Sequence, residues 1–161
     1  MPAAHIGCSL QLSGGISMRP LSAPLFGLLV LACTSGIASA RMVTYTAKLS
    51  GAAEVPAVTT SGHGTATMRL NTATRHLSWI VRYAGLSGPV VAAHIHGPAG
   101  PGANAPVMLP FAGSLKSPIK GSATLNPTEM SALEAGKTYV NIHTAKNPAG
   151  EIRGQLEPEK K

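Results

Sequence analysis

From Arg41 onward the chain alternates apolar and polar residues with a period of two. Val43, Tyr45, Ala47 and Leu49 alternate with Thr44, Thr46 and Lys48. Ala66, Met68 and Leu70 alternate with Thr65, Thr67 and Arg69, and Leu77, Trp79, Val81 and Tyr83 with Ser78, Ile80 and Arg82. The segments 119–125 and 152–156 repeat the pattern. Successive side chains of a strand point to opposite faces, so each run reads as a strand with one dry and one wet face. Turn-forming clusters at 71–74, 85–89 and 147–150 separate the runs. Short strands at this spacing predict an all-β fold, a Greek-key-like antiparallel β-sandwich. One short helix is expected near residues 127–135. Asn126-Pro127-Thr128-Glu129 offers a cap, a proline in the first turn and an acid three residues past the cap, and Gly136 can close the helix in the left-handed conformation. Residues 97–110 hold four prolines and three glycines and read as a long irregular loop, a kind of segment that often carries function.

The first 40 residues follow a different rule. Arg19, the uncharged run Leu25 to Ala32 and Ala38-Ser39-Ala40 have the layout of a secretory signal peptide cleaved after Ala40, with Met18 as an alternative start. The run is shorter than the roughly 20 apolar residues needed to span a bilayer. Cleavage leaves 121 residues without cysteine, because Cys8 and Cys33 both fall in the removed part. A domain over 41–158, followed by a solvated tail at 159–161, must then hold together by packing alone. Val30-Leu31-Ala32-Cys33 loosely resembles a lipobox, which offers a lipid anchor at Cys33 as a minor alternative. The expected location is secreted or periplasmic, with no transmembrane helix in the mature form.

Charge and composition narrow the functions. The +7 of the whole chain becomes +6 when Arg19 is lost, and there is no aspartate. The basic residues are scattered along the sequence. Nucleic-acid readout favours a clustered stripe with stacking aromatics, so nucleic acid is not an expected partner. No cysteine survives in the mature part, no G-x-S-x-G is present and no aspartate completes a triad, so no catalytic constellation is found.

Three segments carry a family resemblance. They are Leu49-Ser50-Gly51-Ala52-Ala53-Glu54-Val55-Pro56, Ala92-Ala93-His94-Ile95-His96-Gly97-Pro98-Ala99, and Tyr139-Val140-Asn141-Ile142-His143-Thr144 followed by Asn147 to Leu156. In this order and spacing the chain resembles the CHRD (chordin-type) domain family, in its single-domain exported microbial form. Ala149 departs from the glycine usual there. The resemblance implies an extracellular module and no particular activity.

The histidines supply the candidate chemistry. His94 and His96 are two apart on a predicted strand and share a face, while Val91, Ala93 and Ile95 opposite them read as core. By the same alternation Tyr139, Asn141 and His143 face outward, away from Val140 and Ile142. If the two strands are neighbours, three imidazoles converge on an accessible patch. Imidazole nitrogens suit copper or zinc. The alternative is a network in which His94 and His143 bond to backbone and to each other and fix the 97–110 loop. His63 and His76 read as surface residues. Glu54 and Arg153 are expected to form a structural ion pair joining the two ends of the domain, or Glu151 to orient His143 from behind. Two functions stand open: a non-catalytic exported binding module for an unknown extracytoplasmic protein or polymer, and an envelope copper- or zinc-binding protein using His94, His96 and His143. A metal-dependent enzyme ranks behind both for want of a general base.

Overall fold

The computed structural model describes residues 40–160. The leader read over residues 1–40, with Met18 and Cys33, therefore lies outside the described residues except for Ala40. The alternating runs form antiparallel strands: β1 (Met42–Ser50), β2 (His63–Asn71), β3 (His76–Ala84), β4 (Val90–His96), β5 (Val107–Pro110), β6 (Ile119–Thr124), β7 (Tyr139–Thr144), β8 (Ile152–Gln155) and β9 (Glu157–Pro158). Their order in space is β5-β4-β7-β8-β1-β2-β3-β6, with β9 pairing with β1. The fold is all-β with one short helix, as the alternation predicts.

The sheet is continuous, but its centre is thin. β1 and β2 pair along nine residues, whereas β1 and β8 share the single pair Ser50↔Arg153. Two four-stranded halves thus hinge at one seam and close on each other. Trp79 of β3 stacks on Phe111, just after β5, with ring centroids 4.8 Å apart, although these strands lie toward opposite ends of the sheet order. Leu49, Met68, Leu77 and Val81 from one half and Ile95, Val140, Ile142 and Ile152 from the other are buried in the same core. The described residues contain no cysteine, so this apolar burial is what holds the halves together, at roughly 25 cal/mol per Å².

α1 (Pro127–Glu134) starts as its sequence dictates. The Asn126 side chain accepts from Glu129 N, and the Glu129 carboxylate accepts from Asn126 N. Past its end Gly136 takes a φ of +67°. Leu133, on the buried side, fixes the helix to the core.

Two expectations are corrected. Residues 97–110 are not loop throughout, because 107–110 form β5, an edge strand pairing with β4 through Ile95↔Leu109 and His94↔Pro110. An edge strand tolerates Pro110, since the face lacking a donor need not be paired. Val91 is not core but 55% exposed. β4 bulges there, with Val90 opposite Thr144 and Ala92 opposite His143, so one extra residue is pushed out of register. Glu159, at the start of the exposed tail, keeps one backbone bond to the sheet, its N donating to Thr44 O at 2.9 Å.

The seam needs a glycine. A Cβ on Gly154 would run into the Lys48 carbonyl and lie 3.0 Å from a Leu49 methyl. Gly154→Ala is expected to destabilise the fold by about 2–3 kcal/mol in urea melts through this overpacking. A change below a few tenths would mean that the two halves do not depend on the close approach of β8 to β1.

Candidate metal centre

β7 is buried along its whole length on both faces. Val140 and Ile142 enter the core. Tyr139, Asn141 and His143 point the other way and are nonetheless covered. Pairing sets their neighbours: Ala92↔His143, His94↔Asn141 and His96↔Tyr139 from β4, and Asn141↔Arg153 and Tyr139↔Gln155 from β8. Residues paired across neighbouring strands share a face. The outer face of this half therefore carries one layer of His94, His96, Tyr139, Asn141, His143, Arg153 and Gln155. The expectation of an open, accessible patch is corrected: His96 and His143 are each 8% exposed, and only His94 is half-buried.

The three imidazoles do converge. One nitrogen from each of His94, His96 and His143 can be chosen so that all lie within 4.8 Å of one another. The other nitrogens are fixed by backbone. His96 Nδ1 lies 3.0 Å from Ala105 O, and His143 Nδ1 lies 3.0 Å from Pro148 O. A carbonyl only accepts, so both Nδ1 atoms carry the proton and both Nε2 atoms present a lone pair to the cluster. His143 Nε2 accepts from His94 Nδ1 at 3.2 Å, while the buried His96 Nε2 has no partner. Features of both expected arrangements are present: His94 and His143 bond each other and carbonyls hold His143 and, in place of His94, His96, while one nitrogen of each ring converges on the others. Burial, together with repulsion from the neighbouring imidazoles, lowers the pKa of His94. Burial likewise lowers that of His143, against the Pro148 hydrogen bond. Both shifts favour the neutral ring in His94 and His143, the form that ligates metal.

Loops and a tyrosine brace the cluster. Tyr139 stacks on His96 with centroids 5.0 Å apart and an interplanar angle of 5°. Its hydroxyl accepts from Ala105 N, the residue whose carbonyl holds His96. Arg153 lies 4.7 Å over the Tyr139 ring. It donates to Ala53 O and to Asn104 Oδ1, tying the 3₁₀ turn Gly51–Ala53 and the 97–106 loop to β8.

The two acids divide differently from one of the expectations. Glu151 does not reach His143. Its carboxylate accepts from Thr60 Oγ1, Ser87 N, Ser87 Oγ and Thr144 Oγ1. Thr144 and His143 are adjacent in one strand and so face opposite ways, which puts Glu151 on the wrong side of β7. Those hydrogen bonds outweigh burial and hold its pKa down to about 2. Pro148 O takes the orienting role expected of Glu151. Glu54 lies on the histidine side instead. It accepts from Asn141 Nδ2 at 3.4 Å and stands 3.8 Å from Arg153 Nε, a buried ion pair without a direct hydrogen bond. Burial dominates there and pushes Glu54 up to about 7, against the pull of Arg153 and Asn141. His63 and His76 are exposed, as read from the sequence.

The signs of these shifts are opposite. Glu151, with its native value below the unfolded one, contributes stability that is present above about pH 4.5 and lost as pH falls toward 2. Glu54 holds its proton more tightly in the folded state, so its contribution is full below about pH 4.5 and lost as pH rises through about 7. Glu54→Gln keeps the shape of the neutral acid and cannot ionise. Urea melts at pH 5 and pH 8 should show the wild type losing stability relative to this variant at the higher pH. A difference unchanged between the two pH values would show that Glu54 ionises as freely in the fold as in the unfolded chain.

Comparison with known proteins yields one match. The CHRD domain family matches residues 45–156, a span that includes every residue of the histidine layer. No curated protein and no solved structure matches the chain. Family membership and local geometry thus meet in the same residues, and the chain belongs to the CHRD domain family.

Proposed function

We propose that this protein is an exported, non-catalytic binding module whose ligand is a copper or zinc ion held by His94 Nδ1, His96 Nε2 and His143 Nε2. The observation that carries the reading is the unpartnered, buried His96 Nε2 beside the His94–His143 contact. A buried acceptor left without a partner costs about 1–3 kcal/mol, and a cation at this point would satisfy it. The distances support it too. A tetrahedral ion with bonds of about 2.0–2.1 Å holds its nitrogens about 3.3–3.4 Å apart. The His94–His143 separation of 3.2 Å already matches, and the widest separation, up to 4.8 Å, would have to shorten on binding. The ion would replace the proton now shared by His94 and His143. Carbonyls behind His96 and His143 fix their tautomers, as the partners of ligating histidines usually do.

Export rests on the sequence of residues 1–40 and agrees with the family, whose domains are typically extracellular. Among the described residues no helix is long and apolar enough to cross a membrane. Catalysis lacks support because no acid touches the cluster: Glu151 lies across β7, and Glu54 contacts Asn141 and Arg153 rather than an imidazole.

Calorimetric titration with Cu²⁺ and Zn²⁺ tests the reading, alongside a His94→Ala, His96→Ala, His143→Ala variant. The expected result is one ion per chain in the wild type, with affinity falling at least about 100-fold in the variant. Absence of binding, with the variant still folded by circular dichroism, would leave the histidines as a hydrogen-bonded brace for the 97–106 loop.

A further inference from the structure

The lysines and arginines that are scattered in the sequence gather in the fold. The wet faces of β1, β2, β3 and β6 make one four-stranded surface, and pairing sets its rows. Lys48, Thr65 and Arg82 form one row. Thr46, Thr67, Ile80 and Lys120 form the next, followed by Thr44, Arg69, Ser78 and Ser122. The four cations are exposed and enter no ion pair among the described residues. None of these four strands contains an acid. Glu157 of β9, beside Thr46, borders the face.

We infer that this face is a docking surface for an acidic polysaccharide. Charge complementarity fixes the sign of the ligand, because Lys48, Arg69, Arg82 and Lys120 meet no carboxylate within the four strands. Strand geometry places their backbones about 8–12 Å apart, so each cation stands alone among hydroxyls. That spacing suits a chain bearing one anionic group every sugar or two, with sugar hydroxyls meeting the threonine and serine hydroxyls between the charges. Two shallow depressions, of about 650 and 320 Å³, share Thr67 as a wall and run from Lys48 to Lys120, the larger with Gln155 and Glu157 on its outer wall. The face carries no outward tryptophan, tyrosine or phenylalanine on which bases could stack; its only outward rings are the imidazoles of His63 and His76 at its opposite ends. Ile80 and, at the end of β1, the exposed Met42 are its large apolar side chains, too little for insertion into a lipid surface. The surface and the histidine layer lie on different halves of the sheet, so this inference stands apart from the metal reading.

The test pits heparin and polygalacturonate against neutral dextran, duplex DNA and phosphatidylglycerol vesicles at equal ionic strength. Two quadruple variants of equal charge separate the face from net charge: Lys48, Arg69, Arg82 and Lys120 to Gln, and Lys116, Lys137, Lys146 and Lys160 to Gln. The face variant should bind the acidic polysaccharides about 10- to 100-fold more weakly and with a shallower salt dependence, while the control stays within about twofold of the wild type. Equal loss in both variants, no binding by the wild type, or tighter binding to DNA or vesicles would overturn the inference. All eight substituted side chains are exposed, and matching thermal melts would confirm that both variants are folded.

Discussion

A strand can point its side chains only two ways, and β7 is buried both ways. On one side Val140 and Ile142 complete the core. On the other, Tyr139, Asn141 and His143 lie beneath loops, at a depth where polar atoms need partners. Much of the local architecture follows from that demand. The Ala105 and Pro148 carbonyls come down onto His96 and His143. Arg153 reaches out to Ala53 and Asn104, and Tyr139 to Ala105. The 97–106 loop is rich in glycine and proline, yet it is tied to the sheet through the polar layer it covers.

The polar layer is not fully satisfied, and the gaps are local. Glu54 Oε1, Asn141 Oδ1, Arg153 Nη2 and His96 Nε2 are all buried without a partner. Gly150 marks the tightest point, since a Cβ there would lie 2.7 Å from Asn141 Oδ1 and 2.9 Å from Glu54 Oε1. Its φ of +132° favours glycine as well. Buried polar groups that are left unpaired in a native fold call for an explanation, and functional sites are where such groups concentrate.

What was legible in the sequence is what period two encodes. Strand existence, the inward residues and the capped helix all follow from spacing and end chemistry, and the convergence of three histidines follows from the single added condition that β4 and β7 pair. What was not legible depends on departures from regular pairing or on long-range covering. The bulge that ejects Val91 leaves no mark in an unbroken apolar run. β5 hides behind prolines that only an edge strand admits. The burial of His96 and His143 comes from loops whose path no periodicity records. The choice between Glu54 and Glu151 turned on parity: strand alternation puts Thr144 opposite His143, and the Thr144 hydroxyl claims Glu151.

The placement of charge follows the same parity, with opposite consequences on the two halves of the sheet. On the β1-β2-β3-β6 half the wet face stays open, so its cations keep their hydration at little cost and remain free for a partner. On the β4-β7-β8 half the wet face is roofed over, and the single guanidinium there must be paid for with backbone carbonyls, an asparagine, an aromatic face and a carboxylate. Removing water from two charges costs several kcal/mol per ion before their attraction returns any of it. The elevated pKa of Glu54 is that cost made visible: desolvation outweighs an arginine only 3.8 Å away. A buried pair this weakly coupled is a poor source of stability, and its position suggests another reason for its being there. Arg153 provides half of the single pair that joins the two halves of the sheet, Ser50↔Arg153, and its side chain stacks on the tyrosine that packs against His96. One residue thus links the seam of the fold to the cluster of imidazoles.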